Sequence, residues 1–228
     1  MKGRQIIFSP TGGTKKVADL LAGEWNLKRE AVDLTDPSVD FGSISVEKEE
    51  LTLIAVPSYG GRVPALAAKR FRQIKGNGAR CVIVCVYGNR AYEDTLIELY
   101  DTLKECGFRC VGAVAAIAEH SIMRQFAAGR PDEQDIAELE EFSRELSEKL
   151  AGPKGGEEIQ VPGNRPYKVF NGSPMKPFTT EACSNCGTCV KACPAEAISA
   201  EAPYTTDPIK CFSCMRCIQV CPENANGR

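Results

Sequence analysis

The sequence predicts a doubly wound α/β domain followed by a small cysteine-rich domain. Up to residue 151, five short apolar runs alternate with helical patterns, as expected for parallel strands that are buried on both faces. Eight of the twelve cysteines then crowd between Cys183 and Cys221. The stretch between these regions is rich in Pro and Gly and has no regular periodicity, which indicates a linker. We therefore expect domains at 1–151 and 174–228, joined by a linker at 152–173.

The predicted elements follow one another along the first domain. The strands are RQIIF, KREAVDL, LTLIAVP, RCVIVCVYG and FRCVGAVAAIA, of which KREAVDL has the weakest pattern. The helices are TKKVADLLAGEW, PALAAKRFRQIK, AYEDTLIELYDTLKECG and PDEQDIAELEEFSRELSEKLAGP. The last helix is the clearest, because apolar residues from Ile136 to Leu150 recur on one face and Gly152 with Pro153 stops it. Right-handed crossovers between such strands produce a three-layer sandwich.

The composition excludes several classes of partner. The formal net charge of −2 gives no reason to expect nucleic acid or an anionic membrane surface. No stretch approaches the roughly 18–20 apolar residues of a membrane span. The apolar run near the N-terminus is too short for a signal peptide. We expect a cytoplasmic protein with reduced cysteines, which favours metal or thiol chemistry over disulfides.

The two cysteine-rich segments, CSNCGTCVKACP and CFSCMRCIQVCP, share the spacing C-x2-C-x2-C-x3-C-P and start 28 residues apart. Thiolates at this spacing suit [4Fe-4S] clusters, with the fourth cysteine of each run binding the other cluster. A structural zinc module is the alternative, but zinc requires neither the third cysteine of each run nor the closing C-P. One predicted cluster site comprises Cys183, Cys186, Cys189 and Cys221, and the other comprises Cys211, Cys214, Cys217 and Cys193.

At these cysteines the chain resembles the two-[4Fe-4S] bacterial ferredoxins, which implies a small α+β fold over about 174–228. All eight ligand positions are present, but little sequence follows the last cysteine to cover the second cluster. Five basic and five acidic side chains in this segment weigh against the strongly acidic docking surface of many ferredoxins. We expect the neighbouring domain to cover part of the module instead.

The stretch SPTGGT lies between the first predicted strand and the first predicted helix. Small residues there let backbone N–H groups wrap a phosphate, while hydroxyl groups donate to its oxygens. The stretch is neither a Walker A loop nor G-x-G-x-x-G, which argues against a nucleoside triphosphate or dinucleotide site. The candidate phosphate ligands are Ser9, Pro10, Thr11, Gly12, Gly13 and Thr14.

SPTGGT also fits the form [ST]-x-T-G-x-T found in the flavodoxin family, whose first loop binds the phosphate of FMN. The resemblance implies a flavodoxin-like five-stranded parallel sheet in the order 2-1-3-4-5, with FMN at the switch point between strands one and three. It further implies that the loops after the third and fourth strands flank the flavin ring. The candidates in those loops are Ser58, Tyr59, Gly60, Gly61, Tyr87, Gly88, Asn89 and Tyr92.

Nearly the whole chain resembles the flavodoxin–ferredoxin fusion proteins of anaerobic bacteria and archaea, including the segments YGGRVP and KPF. The resemblance implies an electron carrier that relays electrons between two [4Fe-4S] clusters and an FMN. Such a relay couples one-electron and two-electron carriers in anaerobic metabolism. The expected partners are redox proteins, and no catalytic residue is predicted.

Two other functions stay open at this point. One is a flavin-dependent reductase of a quinone or another small oxidant, with Tyr59, Arg62, Tyr92 and His120 lining its substrate pocket. The other is a redox sensor whose clusters control association with a partner. The sequence also leaves open a homodimer in which a partner subunit supplies the cluster that faces a given flavin.

Several further residues have two interpretations each. Arg62 is either a cation beside the flavin ring or a surface arginine that binds the linker. His120, the single histidine, is either a proton donor at the site or a residue without a chemical role. The basic residues Lys69, Arg70, Arg72 and Lys75 form either a solvated helix face or a docking surface. The other four cysteines, Cys81, Cys85, Cys106 and Cys110, are interpreted as small buried hydrophobic residues.

Overall fold

The computed structural model describes residues 3–23, 25 and 30–227. Glu24, Lys28 and Arg29, which belong to predicted elements, lie outside the described residues. The strands are β1 Gly3–Ile7, β2 Glu30–Asp33, β3 Leu51–Pro57, β4 Arg80–Tyr87, β5 Arg109–Ile117, β6 Phe178–Thr179 and β7 Asn226–Gly227. The α-helices are α1 Gly13–Leu21, α2 Ala65–Phe71, α3 Thr95–Glu105, α4 Glu133–Ala151, α5 Thr188–Ala192 and α6 Arg216–Gln219.

The first five strands form one parallel sheet in the order β2-β1-β3-β4-β5. Ile54 in the central strand β3 is in register with Ile6 on one side and with Ile83 on the other. The chain moves outward from β1 to β2 and then returns to the opposite side for β3, so the order reverses between β1 and β3. The predicted flavodoxin-like fold is therefore confirmed.

Both faces of this sheet are buried, which explains why its strands are apolar without alternation. Ile54 points into the core beneath α2, together with Phe71. Its neighbour Leu53 points into the other core, together with Leu21 of α1. Successive strand residues face opposite sides. Each fully buried aliphatic side chain contributes about 1.5–3 kcal/mol to folding.

The segment 152–177 contains no helix or strand, but it packs along the first domain. Ile159 donates its backbone N–H to the Cys110 carbonyl at 3.0 Å and packs against the core beneath α2. Asp94, only 2% exposed, accepts backbone N–H groups from Asn164 at 2.8 Å and Lys168 at 2.6 Å. These contacts hold the linker against the edge of the sheet where β3 and β4 end.

The C-terminal module has an internal repeat that the backbone reproduces. Helices α5 and α6 begin 28 residues apart, at Thr188 and Arg216. Three pairs of residues with positive φ have the same offset, namely Asn185 and Ser213, Gly187 and Met215, and Glu196 and Asn224. In both halves the fourth cysteine accepts an N–H from four residues further on: Ala197 to Cys193 and Ala225 to Cys221, each at 3.3 Å.

A two-stranded antiparallel sheet closes the module, since Phe178 pairs with Gly227 and Thr179 pairs with Asn226. The described residues include no helix that is both long enough and apolar enough to span a membrane.

Candidate functional site

The loop between β1 and α1 has the backbone geometry of an anion cradle. Gly12 has φ 90°, a left-handed conformation that favours glycine, and α1 begins at the next residue. The first N–H groups of a helix have no partner within it. Lys15 donates its N–H to the Ser9 hydroxyl at 2.9 Å, which ties the two ends of the loop together. The N–H groups before Lys15 and the positive end of the helix dipole are therefore available to bind an anion.

Beside this loop lies a cavity of about 290 Å³ at the carboxyl edge of the sheet. The loops after β1, β3, β4 and β5 form its walls, as expected at a topological switch point. Nine of the predicted cofactor ligands line it: Pro10, Thr11, Gly13, Thr14, Ser58, Tyr59, Gly60, Tyr87 and Gly88.

Five predicted cofactor ligands do not line this cavity. Ser9 and Gly12 line an adjacent crevice between the phosphate loop and α6, which Thr11 also borders. Tyr92 packs its ring edge against Tyr87, with the ring centroids 5.4 Å apart, and contacts the core beneath α2. Gly61 and Asn89 lie in the same two loops, outside the cavity lining.

The cavity is also lined by residues outside the predicted cofactor ligands. The loop after β5 contributes residues 118–123, of which the sequence indicated only His120 as a candidate. The linker contributes Phe170 and Ser173, and the C-terminal module contributes Met175 and Phe212. The only sequence clue to Phe212 is its place inside the C-F-S-C segment, between two cluster cysteines. The cavity is thus a joint product of both domains and the linker.

Phe212 and Tyr59 form the wall between the cavity and the second cysteine segment. Their ring centroids are 6.3 Å apart, and Phe212 also packs 6.1 Å from the ring of Phe8. Burial raises the pKa of Tyr59 well above its ordinary value, and the nearby Cys214 thiol contributes to the rise. Tyr59 therefore stays a neutral phenol, half-buried at the contact between the domains.

His120 is held in one orientation at the rim of the cavity. Its Nδ1 accepts backbone N–H groups from Ile122 and Met123, both at 3.1 Å. Burial lowers the pKa of the ring, so the neutral form is favoured with its proton on Nε2. This arrangement fixes the loop after β5 and leaves one N–H to donate.

Arg62 does not line the cavity. Its guanidinium binds both carboxylate oxygens of Glu98, at 2.7 and 2.8 Å, and donates to the Lys168 carbonyl of the linker at 2.6 Å. It also lies over the ring of Tyr167, 5.0 Å from its centroid. Of the two interpretations offered by the sequence, these contacts match an arginine that binds the linker.

The eight cysteines of the repeat form two groups, as the crossed spacing predicts. The first group, Cys183, Cys186, Cys189 and Cys221, surrounds one small cavity and is called the outer site. The second group is Cys193, Cys211, Cys214 and Cys217, called the inner site. Burial raises the pKa of Cys214 to about 12, and the neighbouring thiols of Cys193 and Cys211 add to the rise. The fourth cysteine of each run thus lies with the three leading cysteines of the other.

The donor set fits polynuclear clusters. Among the described residues, no three His, Cys, Asp or Glu side chains are arranged to hold a single metal ion. Cluster cysteines need a wider spacing, because each thiolate of a [4Fe-4S] cubane binds a different iron. Hydrogen bonds from Thr188 lower the pKa of Cys186, which favours the thiolate form that binds iron.

The remaining cysteines lie inside the first domain. Cys81 and Cys110, partners in register on β4 and β5, place their Sγ atoms 3.3 Å apart. Both are essentially inaccessible, as is Cys85. Burial raises the pKa of Cys81 and Cys85 above the ordinary value, so these thiols remain protonated. Their structural setting is that of small buried hydrophobic residues. Cys106 differs, because it is only half-buried and its Sγ contacts the Phe71 carbonyl at 3.2 Å.

Two arginines join the domains. Arg70, at 8% exposure, donates to the Leu34 carbonyl at 2.5 Å and across the interface to the Pro194 carbonyl at 2.8 Å. Arg216 of α6 approaches the Pro10 carbonyl at 3.4 Å and the Asp33 carboxylate at 3.8 Å. Its Nε is buried without a hydrogen-bond partner among the described residues. An unsatisfied guanidinium donor therefore lies beside the phosphate loop.

One protein-family model matches the C-terminal part of this chain. Residues 182–225 match the family described as "4Fe-4S dicluster domain". No relative of this chain was found among curated proteins.

The chain is similar over about two thirds of its length to several solved structures, two of which are flavodoxins. One, from Streptococcus pneumonia TIGR4, is 19% identical; the alignment covers 65% of this chain and 99% of that chain, with TM-score 0.46. A flavodoxin from the domain Archaea is 15% identical, with 67% and 100% covered and TM-score 0.46. The rubredoxin oxygen:oxidoreductase of the anaerobe Desulfovibrio gigas is 16% identical, with 66% and 37% covered and TM-score 0.45.

The strand order and register, rather than these similarities, establish the fold of the first domain. The family match and the paired cysteine groups identify the second. This chain is therefore a fusion of a flavodoxin-like domain with a 4Fe-4S dicluster domain, and it is an electron-transfer protein.

Proposed function

We propose that this protein relays electrons between two [4Fe-4S] clusters and one FMN, and so couples one-electron with two-electron carriers. The observation that carries the proposal is the shared cavity, which both the phosphate loop and Phe212 of the cysteine segment line. In this proposal residues 1–151 hold the flavin, residues 174–228 hold the clusters, and residues 152–173 connect them. FMN would supply two-electron chemistry, and the clusters would supply one-electron steps.

The residues present fit the phosphate end of FMN. The loop has free N–H groups at the start of α1, and the unpartnered Nε of Arg216 lies beside it. Thr11 and Thr14 place hydroxyl groups at the boundary between loop and cavity. Together these donors suit a phosphate dianion.

The cavity fits a flavin ring. Tyr59, Tyr87 and Phe212 offer aromatic surfaces, and glycines at 60 and 88 bring backbone close to the ring edge. A Cβ at Gly88 would lie 2.5 Å from the His120 ring, so only glycine permits this approach. The protein's work here is to bind, orient and exclude water.

An anoxic cytoplasm is the compartment we propose. Every described cysteine is free, as expected where thiols stay reduced. Cys186 is exposed, which leaves the outer site open to oxidants.

Anaerobic reconstitution with iron, sulfide and FMN tests the relay. We expect about eight iron atoms and one FMN per chain, because the eight thiolates would hold two [4Fe-4S] clusters with four iron atoms each. Cys214→Ala is expected to halve the iron, whereas Cys85→Ala leaves it unchanged. Protein that binds iron but no FMN would refute the flavin assignment, and tight binding of two zinc ions instead of iron would refute the cluster assignment.

The geometry also supports a second candidate, a flavin-dependent reductase of a small apolar oxidant such as a quinone. Met123, Phe170 and Met175 line the cavity and are 38–42% exposed, so its mouth is apolar. Steady-state reduction of a soluble quinone would support this candidate if the rate saturates with quinone and Met175→Ala raises KM. A rate that rises linearly with quinone concentration would indicate that quinone has no binding site, and would reject the reductase in favour of the relay.

A further inference from the structure

The two halves of the cluster repeat are nearly identical in backbone but opposite in exposure. In the first half, residues 184, 185 and 186 are exposed. At the equivalent positions in the second half, Phe212 is half-buried and Ser213 and Cys214 are buried at 2% and 8% exposure. Because the two loops have matching φ values, the difference arises from what covers them and not from their own conformation.

The first domain and the linker cover the inner site. Tyr59 lies against Phe212 and beside the Cys214 thiol. Ser213 donates its hydroxyl to the Ser173 carbonyl at 3.4 Å, and Lys176 donates to the Cys211 carbonyl. The inner site is therefore enclosed between the cavity and the rest of the module.

The outer site has no such cover among the described residues. Cys186 is exposed, and its Sγ interacts with groups of its own loop, among them the Thr188 hydroxyl at 3.3 Å and the Ser184 hydroxyl. Electron tunnelling falls exponentially with distance, so a partner protein gains the shortest path by docking where a cluster reaches the surface. That position is the loop around Cys186.

We propose that the outer site is the docking point for an external one-electron carrier protein, and that electrons pass between it and the cavity through the inner site. This inference rests on the proposed function and adds the order of the relay. Each encounter moves one electron, so the carrier changes by one oxidation step and the outer site by one in the opposite sense. No bond forms, and no proton is transferred at that step.

The charges near the outer site indicate the chemistry of this carrier. Glu223 lines the outer site, is exposed, and accepts the Ser184 hydroxyl at 3.1 Å. Glu181, two residues before Cys183, is also exposed. Two cations of the module are engaged elsewhere, since Lys176 binds the Cys211 carbonyl and Arg216 faces Asp33. Lys191 of α5 is an exposed cation of the same half, so two glutamates stand against one lysine there. This local excess of acid, called the acidic rim, fits a carrier with a basic docking face.

Charge reversal at this rim tests the proposal in the holoprotein. The test variant is Glu181→Lys with Glu223→Lys, and the matched control is Glu140→Lys with Glu141→Lys, two exposed glutamates on α4. Stopped-flow absorbance follows cluster reduction by the dithionite-derived radical anion, and separately the oxidation of reduced protein by cationic cytochrome c. Both reactions are run at low and at high ionic strength.

We expect the test variant to react at least about fivefold faster with the anion and at least about fivefold slower with cytochrome c, with both effects lost at high salt. The control variant is expected to change neither rate by more than about twofold. Equal changes in the two variants would overturn the proposal, because electrons would then enter elsewhere.

A neutral variant provides a second test in case charge reversal causes loss of the cluster. Glu181→Gln with Glu223→Gln preserves side-chain volume and is expected to shift both rates in the same directions by a smaller factor. Unchanged rates in this variant would also overturn the proposal. The outcome is separate from flavin binding, because a protein that bound iron without FMN would still report which site exchanges electrons with solution.

Discussion

Phe212 and Tyr59, from different domains, face each other with ring centroids 6.3 Å apart and planes inclined by 37°. Phe212 follows a cluster cysteine directly, and Tyr59 lies in the loop after β3 at the cavity. This pair is an aromatic contact between the segment of the inner site and the cavity of the first domain.

Replacement of Phe212 by alanine is expected to weaken FMN binding by about three- to tenfold, since aromatic contacts of this kind contribute about 0.5–1.5 kcal/mol. Fluorescence quenching of FMN measures the dissociation constant. Tyr204→Ala removes an exposed aromatic of the same module and serves as the control. Equal affinities in all three proteins would place the flavin away from Phe212.

Arg216→Gln is expected to weaken FMN binding by about tenfold, because a hydrogen bond to a charged group contributes about 1.5–3 kcal/mol. The affinity for riboflavin, which has no phosphate, is expected to stay within about twofold of the wild-type value. The reason is the unpartnered Nε beside the phosphate loop. Arg70→Gln is the control, since Arg70 joins the same domains through the Pro194 carbonyl. If Arg216→Gln weakens both flavins equally, Arg216 only holds the domains together.

Gly60→Ala is expected to displace the linker from the cavity. Gly60 has φ +61°, and a Cβ there would lie 2.2 Å from the Phe170 ring. Gly172 has a similar φ of +86° with nothing within 4 Å of its Cβ position, so Gly172→Ala isolates the backbone strain. Both variants should lose about 1–2 kcal/mol of stability from left-handed backbone. Only Gly60→Ala should also accelerate proteolysis near Phe170, and equal cleavage in both would contradict the contact.

His120 is expected to make stability depend on pH in a narrow window. Burial holds its folded pKa below the ordinary 6.5, so between those two values the unfolded chain binds more protons than the folded chain. The free energy of unfolding should therefore rise with pH through this window and level off above the unfolded pKa. Because the chain has one histidine, its NMR titration is unambiguous. His120→Asn should flatten the rise, and a titration at or above 6.5 would contradict the assignment.

Asp94→Asn is expected to release the linker and to lower the free energy of unfolding by about 1–3 kcal/mol, because a buried acceptor of three N–H groups would lose its charge. Those groups are the backbone and side-chain N–H of Asn164 and the backbone N–H of Lys168. They hold the pKa of Asp94 below its ordinary value, so the same stabilisation should fade as pH falls through that range. Urea unfolding measures the loss. Asp207→Asn, at an exposed turn, is the control; a loss no larger than in this control would show that Asp94 does not anchor the linker.

Local pattern was sufficient to place the strands and the helices, and to find the candidate ligand residues in the loops between them. Strands buried on both faces appear as continuous apolar runs, so LTLIAVP and RCVIVCVY could be placed to within a residue or two. The cysteine spacing predicted the crossed groups, because a fixed loop geometry positions three thiols at a time. Contacts between distant segments leave no such periodicity, so Phe170, Met175 and the role of Phe212 could not be foreseen.

The sequence by itself determined the succession of strands and helices, the phosphate loop and the eight cysteines, since each depends on short-range spacing. The strand order was implied by the resemblance to the flavodoxin family. Only the tertiary structure decided that Arg62 binds Glu98 and the linker, that SPTGGT borders Arg216, and that one cysteine site is enclosed while its repeat is exposed. The two halves of the repeat have the same local geometry. Their difference arises from the first domain and the linker packing on one of them, and such packing depends on the shape of the whole surface.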